Sequence, residues 1–164
     1  DDGFKALDWY KAHGILDINS YENGGKLLAC GNGGSSSDSD HIVGELMKSF
    51  EGRRPLESSL QSKLTEISKE RGKMLAEKLQ QGLSAISLTV HQSLITAIAN
   101  DIHGDVIYAQ QVIGWGNTGD VLIGLSTSGN SKNVIDALIT AKAKGLDEWF
   151  VTEGQLENFL RDDR

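Results

Sequence analysis

Three short apolar runs in this chain each end in a polar loop and give way to a helical pattern: KLLAC (26–30), AISLTV (85–90) and VLIGLS (121–126). Apolar runs of this length between turn signals are the pattern of buried strands. EWFVT (148–152) reads as a short fourth. Strand, loop and helix in repetition define an α/β domain with a parallel sheet. In such a sheet the strand C-termini lie along one edge, where ligands bind. GNGGS (31–35), His91 and STSGNS (126–131) follow the three main strands, so these loops are expected to face one another.

The rest of the chain reads as helix and turn. Phe4, Leu7, Trp9 and Tyr10 suggest a short helix over 4–13, and the glycines and asparagines of 14–25 a break. In GNGGSSSDSD a turn leads into helix-capping residues, before HIVGELMKSF (41–50) with Ile42, Leu46 and Phe50 on one face. From Leu56 to Leu79, leucines and Ile67 recur every three or four residues, with one gap near Gly72. That predicts a surface helix or helical hairpin, inserted at about 56–82. HQSLITAIAN and DVIYAQQVIGWG read as two helices around the turn DIHG, and a last helix spans 131–144 up to Gly145. One domain over 1–164 is the simplest division.

Composition narrows the function classes. A chain of 164 residues can bury a sizeable core. A formal charge of −7 argues against a broad nucleic-acid-binding face. It leaves room for a small anion, because backbone amides and hydroxyls bind phosphate without a basic surface. No apolar run approaches a membrane span, and DDGFKALDWY lacks a signal-peptide core. One cysteine, Cys30, offers no disulfide framework and fits a reducing cytoplasm.

The loops carry the chemistry. STSGNS places four hydroxyls, Ser126, Thr127, Ser128 and Ser131, in six positions at the start of a helix. A single serine would cap the helix. Four, beside free helix N–H groups and a positive dipole end, favour holding a phosphate. GNGGS is less specific: it is neither a dinucleotide fingerprint nor a P-loop, so no nucleotide cofactor is expected. It offers backbone amides and the Asn32 side chain to a small ligand. His41 and Glu45, four residues apart, share a helix face. They could be acid and base, two ligands of a metal such as zinc, or a solvated pair. Asn100 and Asp101 read as helix-end residues. His91 is either an imidazole at the sheet edge or a structural one. His13 and His103 have no supporting context, and Cys30 reads as a small core residue.

Together CGNGGSSSDSDHIVGEL, AIANDIHGDVIYAQQV and GDVLIGLSTSGNSKNVIDAL resemble the sugar isomerase (SIS) domain family, and within it the phosphoheptose isomerases. The resemblance runs through roughly 24–55 and 83–146. It implies a flavodoxin-like three-layer α/β sandwich, a parallel sheet between helices, assembled as a homotetramer or dimer in the cytoplasm. It implies a phosphorylated sugar as substrate and interconversion of sedoheptulose 7-phosphate with a heptose 7-phosphate. By the same resemblance Asn32, Gly33, Gly34 and Ser35 line the sugar phosphate, and Asn100 and Asp101 contact the sugar. Ser126, Thr127, Ser128 and Ser131 hold the phosphate. His41 and Glu45 fall where some members bind zinc, and Glu45 is also the base.

The chain departs from the family at its ends. A glutamine and, eight residues later, a histidine are expected in a last helix; here Gln155 is followed by Asp163. The termini are therefore expected to be altered or incomplete, with His91 a substitute acid. The resemblance also admits a second reading, a non-catalytic SIS-domain protein that binds a phosphosugar or a protein partner, as the replication-initiator-associating relatives do.

Overall fold

A computed structural model of the chain describes residues 18–48 and 52–152. The expected helix over 4–13 lies outside these residues. The chain divides into two compact units, one of residues 17–44 and 84–164 and one that includes Glu45–Leu83.

The first unit is built on a four-stranded sheet. Its elements are α1 (Ile18–Glu22), β1 (Leu27–Gly31), α2 (Gly34–Met47, whose last turn enters the other unit), β2 (Ala85–Ser87), and further on β3 (Val121–Leu125) and β4 (Asp147–Val151). All strand pairs are parallel, in the order β2-β1-β3-β4. Strands buried on both faces need continuous apolar sequence, which LLACG and VLIGL supply: every residue of β1 and β3 is buried. Successive side chains alternate between faces. Leu28, Cys30 and Leu122 join Val112, Val134, Leu138 and Ala141 in one core cluster. Leu27, Ala29, Val121 and Ile123 point the other way and are equally buried.

The connections explain the layers. β2 leads through α5 (Gln92–Asp101), a 3₁₀ turn (Gly104–Val106) and α6 (Ala109–Trp115) to β3, and α7 (Lys132–Lys144) joins β3 to β4. These crossovers step one way along the sheet; the β1-to-β2 crossover steps the other way. Right-handed connection puts the two sets on opposite faces, giving the expected doubly wound sandwich. The step reverses between β1 and β3, where the loops after these adjacent strands diverge.

Two expectations need correction. Residues 14–25 contain a helix, α1, as well as turns. Helix α2 starts at Gly34, seven residues before His41, and so takes in the serines expected to be only caps. Hydroxyls can bond back to the preceding turn, and Ser39 Oγ does so, donating to the Ser35 carbonyl at 2.8 Å.

In the second unit the amphipathic segment is a helical hairpin, α3 (Ser58–Ile67) and α4 (Lys69–Lys78). The break falls at Ser68, extended at φ −151° and ψ 114°, rather than at Gly72. Gly72 lies inside α4, where a Cβ would overlap the Leu64 carbonyl. The gap in the leucine pattern thus marks a close helix crossing. Arg54 closes the base of this unit, its guanidinium donating to the Leu46 carbonyl at 2.7 Å.

Candidate functional site

Both principal loops leave the carboxyl edge of the sheet. β1 and β3 pair in register to Gly31 and Leu125, and the loops diverge from there. The β3 loop is folded on itself. The Gly129 N–H donates to the Ser126 carbonyl at 3.1 Å, and Gly129 has φ +69°, a conformation that glycine adopts without strain. Ser126 Oγ lies 2.9 Å from Ser131 Oγ. Ser126 is buried and Thr127 and Ser128 are exposed. Ser131 is the N-cap of α7, yet its side chain makes no capping bond. In the first turn of α7 the Val134 N–H donates to the Ser131 carbonyl at 3.1 Å, while the Lys132 and Asn133 N–H groups precede any helical acceptor. A loop of hydroxyls against a bare helix N-terminus can take an anion.

The β1 loop is tighter. The Ser35 and Ser36 N–H groups donate to the Asn32 and Gly33 carbonyls at 3.0 and 3.1 Å. Gly33 and Gly34 are exposed and Ser35 is buried. The two loops are joined through side chains. Asn32 Nδ2 donates to Asn133 Oδ1 at 2.8 Å, and Asn133 Nδ2 donates back to Asn32 Oδ1 at 2.9 Å. Beneath them the Tyr108 hydroxyl donates to the Gly31 carbonyl at 2.6 Å and lies 3.2 Å from Asn32 Oδ1. Burial pushes the Tyr108 phenol up to about 12, with the nearby Cys30 and Asp40 adding to the shift.

Helix α2 carries His41, exposed, and Glu45, half-buried, one turn apart. Asp38, one turn before His41, is held above the usual carboxylate range by burial, partly offset by the charge of His41. On the same helix Asp40 Oδ1 accepts from Ser87 Oγ and Thr89 Oγ1, each at 2.6 Å. This fastens α2 to the end of β2. Among the described residues no group of three His, Cys, Asp or Glu side chains could hold a metal ion. His41 and Glu45 alone do not close a zinc site.

The remaining candidates are placed as follows. Asn100 and Asp101 end α5, both exposed, with Asn100 Nδ2 donating to Asp101 Oδ1 at 2.7 Å. No hydrogen bond among the described residues joins them to either loop. His91 does not directly follow a strand as expected, because β2 ends at Ser87; its ring stacks on Trp115 (centroids 5.8 Å apart) and its Nε2 is buried with no hydrogen-bond partner among the described residues. Gln155 and Asp163 lie outside the described residues.

Sequence reasoning missed Tyr108, Asn133, Asp40 and Asp38. A buried tyrosine must find a partner for its hydroxyl, so Tyr108 carried a signal only once its burial was known. Asn133 stands two residues after STSGNS, and nothing in the local pattern sets it apart from the rest of the helix.

A doubly wound parallel sheet presents its ligand-binding edge at the switch point, and here the hydroxyl loop stands at that point. The model of the SIS domain matches residues 70–147 of this chain. Its relatives include phosphoheptose isomerases. The enzyme of Helicobacter pylori (strain P12) is 45% identical over 131 residues, 80% of this chain and 55% of that protein. That of Thiobacillus denitrificans is 39% identical over 131 residues, again 80% of this chain and 53% of that protein. Among solved structures, the phosphoheptose isomerase of Francisella tularensis superposes with TM-score 0.63 at 30% identity, over 87% of this chain and 62% of that one. That of Neisseria gonorrhoeae gives TM-score 0.59 at 29% identity, over 96% and 74%. The chain thus spans little more than half the length of these curated relatives.

Proposed function

We propose that this domain belongs to a ketose–aldose isomerase that converts sedoheptulose 7-phosphate to a heptose 7-phosphate. One observation carries the reading. The hydroxyl loop after β3 and the loop that opens helix α2 leave adjacent strands at the topological switch point and are tied there by the Asn32–Asn133 pair. The similarity to phosphoheptose isomerases supports the enzyme over a non-catalytic binding protein.

In this reading Ser126, Thr127, Ser128 and Ser131 grip the phosphate, and Asn32, Gly33, Gly34 and Ser35 line the substrate. Asn100 and Asp101 contact the sugar from the end of α5. Glu45 removes the proton from the carbon beside the carbonyl, giving a cis-enediol, and returns it to the neighbouring carbon. One proton moves between the two carbons and a second between their two oxygens, while the carbon–oxygen double bond shifts from one carbon to the other, with no external oxidant. Phosphate contacts fix the reacting carbons against the base. Zinc would take His41 and Glu45 and would need further ligands from outside the described residues. The assembly we assign is a cytoplasmic homo-oligomer, a tetramer or dimer, with no nucleic acid or membrane as partner. Among the described residues no helix is long and apolar enough to cross a membrane.

The test is turnover of sedoheptulose 7-phosphate by the purified protein, with and without added zinc, beside Glu45→Gln. The parent turns over, and the variant loses about 1000-fold in kcat. A parent inactive under both conditions overturns the enzyme, and a fully active Glu45→Gln overturns the assigned base.

A further inference from the structure

Sheet pairing between β1 and β3 ends at Gly31 and Leu125, and the next tie between the two connections is the reciprocal amide pair of Asn32 and Asn133. These residues stand 101 positions apart in the chain. Asn32 lies two residues before α2, the helix of His41. Asn133 lies in the first turn of α7, immediately after the hydroxyl loop. The pair is backed by the Tyr108 hydroxyl, 3.2 Å from Asn32 Oδ1.

From this geometry we infer that Asn133 is a positioning residue and that the Asn32–Asn133 pair is a clasp. It sets the distance between the loop that grips the phosphate and the helix that carries the acid–base pair. This deepens, and rests on, the phosphosugar reading above. Each side chain has committed its oxygen and one N–H to the other. Asn32 thus combines its place in the substrate lining with a tie to the first turn of α7. Both groups are neutral, so a phosphate dianion near them meets no repulsion. A ligand held at one end is indifferent to the clasp. A ligand held at both ends is not, because productive geometry tolerates little displacement.

Inorganic phosphate and sedoheptulose 7-phosphate separate the two cases. Dissociation constants for both, and kcat for the sugar, are measured by calorimetry and turnover on the full chain. The proteins compared are the parent, Asn133→Ala, Asn32→Ala and the double variant, each checked for parent-like melting. With Asn133→Ala, phosphate affinity stays within about twofold while kcat for the sugar falls about tenfold or more. The double variant loses no more than the worse single one, as expected for groups that act as a unit. Additive losses, equal weakening of both ligands, or parent-like kcat in Asn133→Ala overturn the clasp. If Asn133→Ala fails to fold, Asn133→Ser replaces it under the same criteria. The parent's behaviour tests the isomerase reading, and the ratio of variant to parent tests the clasp. A parent that neither binds nor converts sedoheptulose 7-phosphate overturns both.

Discussion

The two ends of the β1–β3 pair are held by opposite chemistry. At the amino end, buried Asp120 accepts from the Lys26 N–H at 2.9 Å, from Lys26 Nζ at 2.6 Å and from the Asn117 N–H at 2.7 Å. Ser20 donates to the Gly119 carbonyl beside it. At the carboxyl end the ties between the two loops and beneath them are made by amides, hydroxyls and the Tyr108 phenol. A buried carboxylate with three donors is saturated and costly to disturb. Neutral amides and hydroxyls retain donors for a guest. Stability and binding are thus divided between the two ends, and each can be perturbed alone.

The largest effect on folding is expected from Asp120→Ala, which strands Lys26 and the Asn117 N–H. A loss of about 3 kcal/mol in chemical denaturation is expected, with sugar-phosphate affinity of the folded fraction unchanged. Smaller loss, or a shifted affinity, would erase the division. At the other end, Ser126→Ala combined with Ser128→Ala should weaken sedoheptulose 7-phosphate about tenfold. Thermal stabilisation by that ligand should shrink accordingly, with little change in the unliganded melting point. An unchanged ligand shift would move the phosphate elsewhere. Tyr108→Phe should cost about 1 kcal/mol, because it frees the Gly31 carbonyl and removes the backing of Asn32.

The smallest effect is an alkaline one. Burial pushes the Cys30 thiol and the Tyr108 phenol each up to about 12, from 9.0 and 10.0. Between pH 9 and 12 the unfolded chain releases protons that the fold retains. Stability contributed by these groups is complete below pH 9 and is lost as pH rises. Tyr108→Phe should flatten this decline above pH 10, and an unaltered slope would exclude Tyr108 from it.

The sheet was legible because burial on both faces leaves a continuous apolar run, as in KLLAC and VLIGLS. The hydroxyl loop was legible because a single cap cannot account for four hydroxyls. Helix α2 was placed too late because serines and aspartates are read as caps, whereas here Ser39 bonds back along the helix and Asp40 bonds to Ser87 and Thr89. The gap in the leucine pattern near Gly72 falls inside α4: glycine has poor helix propensity, and close packing against α3 overrides it. Asn133 and Asp120 were missed for a shared reason. Each acts on a partner about a hundred residues distant, and local patterns carry no record of such pairings.

The parallel order β2-β1-β3-β4 also sets a timetable. Lys26 waits for Asp120, 94 residues later in the chain, and Asn32 for Asn133. At about 5–20 residues per second of synthesis, the apolar β1 strand emerges several seconds before β3 exists to pair with it. The α3–α4 hairpin, whose contacts are local, is free to close during that interval. Nascent chains of this protein should therefore depend most on chaperones between the appearance of Leu27 and that of Leu125.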